Sequence, residues 1–263
     1  MTGVPDSPEQ TTPQTSPASR DAGNWATPVS KLKVGDLPPE ALNRNVEGRR
    51  PMSPLQGFGK MWQKTYKVNV GRTIEPEALI SEWKLKFPSF WPAKNFFYGP
   101  LTGIAPGEVA VLNLSMPGKL KLSTGVLVLY ADEESFTLMS PEGHMFAGWV
   151  TFSAYEDGSG DTLAQAQLLI RANDPIYEMG LTFGGHTKED RFWDETLRNL
   201  AAHFGVSEAE VDTQVVCVDK KRQWKKAKNV TKNSAVRSGI YATGAPFRWM
   251  AKPFKRDSNK ETG

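Results

Sequence analysis

The 263-residue chain predicts an α+β fold, a curved antiparallel sheet followed by one long C-terminal helix. Two observations carry this. Between Glu108 and Asn173, apolar-rich runs follow one another with short turn sequences between them, the pattern of antiparallel hairpins. After "NDP" the apolar period changes from two to 3.6, with Phe192, Thr196, Leu197, Leu200, Ala201 and Phe204 on one helical face.

Residues 1–56 hold nine of the 19 prolines and few large apolar side chains. Such a stretch cannot bury enough surface to offset its ordering entropy, so a mostly disordered arm is expected there. Within it, Trp25, Val29, Leu32, Leu37 and Leu42 offer a short segment able to dock on the body. Order begins at "GFGKMWQKTYKVNV", where Tyr66, Val68 and Val70 alternate as in a strand. A helix follows, with Pro76 in its first turn, Leu79, Ile80, Trp83 and Phe87 at helical spacing, and Pro88 to stop it. "PSFWPAKNFFYGPLTGIAPGE" reads as an aromatic-rich loop. The strands come next: "EVAVLNLSM" turns at Pro117-Gly118 into "LKLSTGVLVLYA", "FTLM" follows "DEES", and "HMFAGWVTFSAYE" runs through "DGSGD" into "TLAQAQLLIRAN". The long helix spans Thr187 to Phe204, with Thr187 and Asp190 as a capping-box variant and Gly205 as its stop. "PIYEMGLTFGG" reads as a bent extension of that helix, and the valines of "TQVVCV" favour a further strand.

The net charge of +3 hides an asymmetry. From Lys220 onward thirteen Lys/Arg face two acids, a net +11, which leaves −8 for residues 1–219. Such a basic, aromatic-containing tail suits an anionic membrane surface or nucleic acid, through Lys220–Lys232, or the acidic body of its own chain. The single cysteine, Cys217, excludes an internal disulfide framework. No apolar run approaches the ~20 residues that cross a bilayer and no leader pattern is evident, so a cytoplasmic location is expected. With three scattered histidines, neither a metal site nor a cofactor is expected. A phosphate-binding glycine loop, a G-x-S-x-G elbow and an H-E-x-x-H helix are all missing.

The hairpin "GHMFAGWVTFSAYEDG…LAQAQLLIRANDP" running into "HTKEDRFWDETLRNLAAHF" resembles the helix-grip architecture of the START-like (SRPBCC) superfamily, in an uncharacterised bacterial branch. That superfamily includes StAR-related lipid-transfer domains, birch-pollen-allergen-like proteins and polyketide cyclases. The resemblance spans residues 57–205, leaving 1–56 as the arm and 206–263 as a basic extension. It implies a cavity between sheet and helix for an apolar or amphipathic small molecule.

The residues expected to line that cavity are Trp149, Tyr155, Ala164, Ala166, Leu168, Ile170, Tyr177 and Phe192. Ala164, Ala166, Leu168 and Ile170 form the dry face of one strand, and the two alanines leave space for a close-packed helix or for a ligand. The strand from Met145 is apolar on both faces, with Phe146, Val150 and Phe152 on one and Met145, Trp149 and Tyr155 on the other. Its outer face therefore needs a cover, either a terminal extension or a second copy of the chain. Glu142 and His144 are the candidates for acid/base chemistry, but Ser140-Pro141-Glu142-Gly143 fits a type I turn without any function. His186, Glu189 and Asp190 lie within one helical turn and read as a capping cluster. Binding or transport without catalysis is the favoured reading. The alternatives are a cyclase, hydratase or lyase using His144, Tyr155 or Arg171 in the same cavity, and a protein that docks through its tail.

Overall fold

The structure is a computed structural model and describes residues 22–72, 74–99, 103–116 and 121–243. The first 21 residues of the arm expected at 1–56, the turn at Pro117-Gly118 and the tail beyond residue 243 lie outside the described residues. Among the described residues eight strands form: β1 (Met61–Asn69), β2 (Phe96–Tyr98), β3 (Val109–Ser115), β4 (Lys121–Ala131), β5 (Ser135–Met139), β6 (Phe146–Glu156), β7 (Thr162–Ala172) and β8 (Val211–Asp219). They make one sheet in the order β2-β3-β4-β5-β6-β7-β1-β8, with every pairing antiparallel. The helices are α1 (Pro76–Lys86), α2 (Pro175–Gly180), α3 (His186–His203) and α4 (Ser234–Thr243). This is the helix-grip arrangement the sequence predicts, a curved sheet holding a long helix.

Register decides which side chains meet the helices. On β7, Ala164, Ala166, Leu168 and Ile170 pair with Ala154, Phe152, Val150 and Gly148 of β6, and with Val68, Tyr66, Lys64 and Trp62 of β1. Because strand side chains alternate between faces, these three rows form one surface, and its buried members join the main hydrophobic core. Helix α1 packs on β6 and β7, burying Leu79, Ile80 and Trp83. The Trp83 ring lies 5.1 Å from Phe152 and 6.0 Å from Phe136, and Phe87 touches both phenylalanines. Half of the concave face is thereby filled with close-packed rings.

α2 and α3 are joined through a kink, where Phe183 and Gly184 leave helical backbone geometry. Asp174 caps α2 by accepting hydrogen bonds from Ile176 N (2.9 Å) and Tyr177 N (3.1 Å). The chain then passes through a wide turn, Leu181–Gly185, directly into α3. Gly184 has φ +96° there, a backbone region open to glycine at little cost. Thr187 makes no cap, because it lies inside α3, whose N-cap position is Gly185. Asp190 serves another purpose, described below.

Both ends of the described chain pack on the sheet. Residues 22–56, expected to be a mostly disordered arm, run along the outer face of β3 and β4, where Leu32 and Val46 join Val109, Val111 and Leu127 in a second buried cluster. These strands carry apolar residues on both faces, and covering the outer one removes it from water. Trp25 bridges to Tyr130 and Pro51 to Pro141. Beyond residue 205, where the domain was expected to end, β8 adds to the edge of β1. Residues 224–232 then form a short helical segment, and α4 packs on β4. Ser234 N donates to Gly143 O (2.9 Å), Asn45 Nδ2 to Ser238 Oγ (3.1 Å), and the Arg44 guanidinium lies 3.5 Å from the centre of the Tyr241 ring.

Candidate functional site

The concave face that α1 leaves uncovered encloses a cavity of about 800 Å³, within the size range of small-molecule sites. Its sheet wall includes Leu112, Leu114, Val126, Leu138, Leu168 and Ile170, and its roof comes from Tyr177, Leu181, Phe192 and Trp193 on the α2–α3 path. Trp91 and Phe87 close one end. Phe183, 83% exposed, stands at the mouth beside Gly185 and Lys188.

The expected lining residues divide three ways. Leu168, Ile170 and Phe192 line the cavity, as does Tyr177. The Tyr177 hydroxyl is already engaged, accepting from Ala235 N at 3.0 Å, and burial raises its pKa, so it is held as a neutral phenol. Ala164 and Ala166 are fully buried but lie beneath the region where α1 packs, away from the cavity wall. Tyr155 pairs with Leu163 and Trp149 with Leu169, which puts both side chains in the row facing away from α3. Trp149 borders the cavity from its place in the strand and also flanks a small outer pocket with Gln63 and Gln167. The Lys67 ammonium sits 5.9 Å from the Tyr155 ring centre.

Arg171 belongs to that outer row as well. It is buried, donates to Gly59 O (2.6 Å) and Lys221 O (2.9 Å), and pairs with Asp219. It thus ties the segment before β1 to the segment after β8 rather than entering the cavity.

Glu142 and His144 do not form a pair with each other. The turn is shifted by one residue from the sequence reading: His144 N donates to Pro141 O (3.1 Å), which puts Gly143, with φ +88°, at the third position, where a type II turn requires positive φ. Glu142 bonds Arg50 at 3.0 Å and lies 3.8 Å from Arg49. His144 precedes β6 and lines the cavity. Its Nδ1 lies 3.0 Å from Phe146 N and 3.2 Å from Phe146 O, within hydrogen-bond reach of both backbone groups. Desolvation lowers its pKa to about 4, which keeps it neutral at pH 7. Of the four side chains named for catalysis, Glu142, His144, Tyr155 and Arg171, only His144 lines the cavity.

The polar feature that sequence reasoning missed is Lys64. It stands in the inward row of β1 and is 1% exposed. Its Nζ reaches Glu189 Oε2 (2.8 Å) and Asp190 Oδ1 (2.7 Å) on the first turn of α3. Tyr66 Oη donates to the same Asp190 oxygen at 2.6 Å. Burial and the two neighbouring carboxylates raise the Tyr66 pKa, so the hydroxyl remains a donor. The available signal was the alternation Trp62, Lys64, Tyr66, Val68, which points a lysine inward, where it needs a carboxylate partner. Glu189 lines the cavity and its Oε1 has no hydrogen-bond partner. His186 does not complete a metal site with these acids; among the described residues no three His, Cys, Asp or Glu side chains converge.

No family model matches the chain, and no curated protein does. Several solved structures are similar to it. A START superfamily protein from Mycobacterium smegmatis is 19% identical, covering 56% of this chain and 98% of its own, at a TM-score of 0.36. The di-domain ARO/CYC StfQ of steffimycin biosynthesis is 10% identical over 54% of this chain and 50% of its own, TM-score 0.42. Ginseng major latex-like protein 151 from Panax ginseng is 14% identical over 56% and 99%, TM-score 0.34. One of these bears the name of the superfamily that the sequence resembles. At such identities and TM-scores they supply no residue roles, and the functional reading rests on this chain's own cavity.

Proposed function

We propose that the protein binds an apolar or amphipathic small molecule between the sheet and the α2–α3 path. The single observation that carries this is the cavity of about 800 Å³ in a core whose other half is densely packed with rings. Protein interiors ordinarily leave few voids larger than a water molecule, and one of this size walled by Leu, Ile, Val and aromatic side chains suits a molecule with a large apolar body. Native mass spectrometry of freshly purified protein tests it. A stoichiometric apolar adduct is expected, and Leu168→Trp, which puts a larger side chain on the wall, should remove the adduct while leaving the circular dichroism unchanged. Retention of the adduct by a folded Leu168→Trp variant would place it elsewhere and sink the reading.

A second reading, docking on an anionic membrane, is favoured by one specific arrangement. Ile176, Met179 and Phe183 are exposed along one side of the α2 path at the cavity mouth. The neighbouring segment 224–232 carries exposed Trp224 with Lys225, Lys226, Lys228 and Lys232. The two segments are joined by Arg222 Nε donating to Glu178 Oε1 at 2.9 Å. Apolar side chains beside lysines fit an anionic interface. Salt-sensitive co-sedimentation with phosphatidylserine vesicles is expected, weakened in a Lys225→Glu/Lys226→Glu/Lys228→Glu variant; equal sedimentation with neutral vesicles refutes the electrostatic part.

A further inference from the structure

Glu189 is an anomaly in an otherwise apolar wall. Its side chain is 7% exposed, it lines the cavity, and only one of its two carboxylate oxygens is used. Oε2 accepts from Lys64 Nζ at 2.8 Å, whereas Oε1 is buried without a hydrogen-bond partner. The nearest alternative donor does not relieve it. His186 Nδ1 lies 3.6 Å from Oε2, not Oε1, and is itself unpartnered, with its ring held against Trp62 at 5.1 Å. The surroundings leave formal negative charge uncompensated, since Lys64 faces both Glu189 and Asp190. An unpaired buried acceptor is costly, more so when it is charged, and buried polar groups are ordinarily satisfied.

We infer that Glu189 is the polar anchor of the cavity and that the bound molecule meets its free oxygen with a hydrogen-bond donor, a hydroxyl or a protonated amine at the end of an apolar body. This rests on the cavity-binding reading above and narrows its ligand class. A donor at Oε1 completes the carboxylate's hydrogen bonding in a water-poor site, where charge-assisted bonds are strong. An anionic headgroup meets the opposite condition, two carboxylates facing each other in low dielectric. Among the described residues the one cation lining the cavity, Lys188, is exposed, and a pair formed there would be screened by solvent. Fatty-acid-like anions are therefore disfavoured although their chains suit the cavity.

The test holds the apolar body constant and varies the head: dodecanol, dodecylamine and dodecanoate, each titrated calorimetrically below its micelle concentration into the full chain. Dodecanol and dodecylamine are expected to bind at least ~10-fold more tightly than dodecanoate, about 1.4 kcal/mol. In Glu189→Gln the gap between amine and carboxylate should shrink to within about threefold, the preference being charge-assisted in origin. Equal affinity for all three heads in the wild type overturns the anchor and leaves the cavity reading intact. Tighter binding of dodecanoate overturns it in favour of Lys188. Failure of all three to bind removes the cavity reading and the anchor together. Should Glu189→Gln not fold, the wild-type series still decides.

Discussion

Lys64→Met deletes the ammonium that lies under two carboxylates while keeping an unbranched side chain in the inward row of β1. The lysine is 1% exposed and Glu189 7%, whereas Asp190 is 37% exposed and also accepts from Tyr66. The loss therefore falls mainly on Glu189, which is left as a buried carboxylate with no hydrogen bond to either oxygen and only His186 Nδ1 at 3.6 Å from Oε2; Asp190 keeps one donor and some water. Removing one member of a buried pair costs about 3–5 kcal/mol, a large share of the 5–15 kcal/mol that typically stabilises a domain. Urea unfolding followed by tryptophan fluorescence measures it, with the midpoint expected to fall and the slope to hold. The double variant Lys64→Met/Glu189→Leu should recover most of the loss, because an apolar pair of similar volume carries no desolvation cost. A loss below about 1 kcal/mol for Lys64→Met, or no recovery in the double variant, would refute the view that burial of Glu189 makes this pair costly to break.

Two further outcomes follow from the same geometry. His144 titrates near 4 when folded, against 6.5 as its ordinary value, because burial disfavours the charged ring. The unfolded chain therefore binds more protons between those values, and stability present above pH 6.5 is lost as the pH falls towards 4, by at most about 3 kcal/mol. The difference between wild type and His144→Gln across pH 7 to 4 isolates this slope from that of Asp174, whose pKa burial raises; parallel curves would contradict it. Gly143 combines φ +88° with a position where a Cβ would overlap the Lys232 carbonyl oxygen. Gly143→Ala should therefore loosen the Gly143–Ser234 contact, destabilise by roughly 1–3 kcal/mol, and speed amide hydrogen exchange in α4; unchanged exchange there would sink the explanation.

The dry row of β7 shows what could be read in the sequence and what could not. Alternation put Ala164, Ala166, Leu168 and Ile170 on one face, and that face does meet the helices. Which of the four border a void depended on where α1 came to rest, and α1 is brought over β6 and β7 by a connection whose path alternation does not encode. Trp149 and Tyr155 were recognisable as one face of β6 but not as its outer face. Both faces of that strand are apolar, so only pairing with β7 distinguishes inside from outside. The Pro-rich segment before residue 57 read as too polar to order alone. Its few apolar residues nevertheless find a cover in the outer face of β3 and β4, whose need for one becomes visible only when the sheet is assembled.

The sequence by itself determined the long strands, the long helix and their order, because periodicity of two or 3.6 records locally which residues leave water; the three-residue β2 falls in the stretch read as a loop, too short to show a period. Tertiary structure alone decided the site. Lys64 and Glu189 are 125 residues apart in the chain, and an inward lysine looks like any other until a second element brings a carboxylate to it. The cavity is likewise a difference between what the sheet could cover and what α1 filled, a property of packing that no single segment carries.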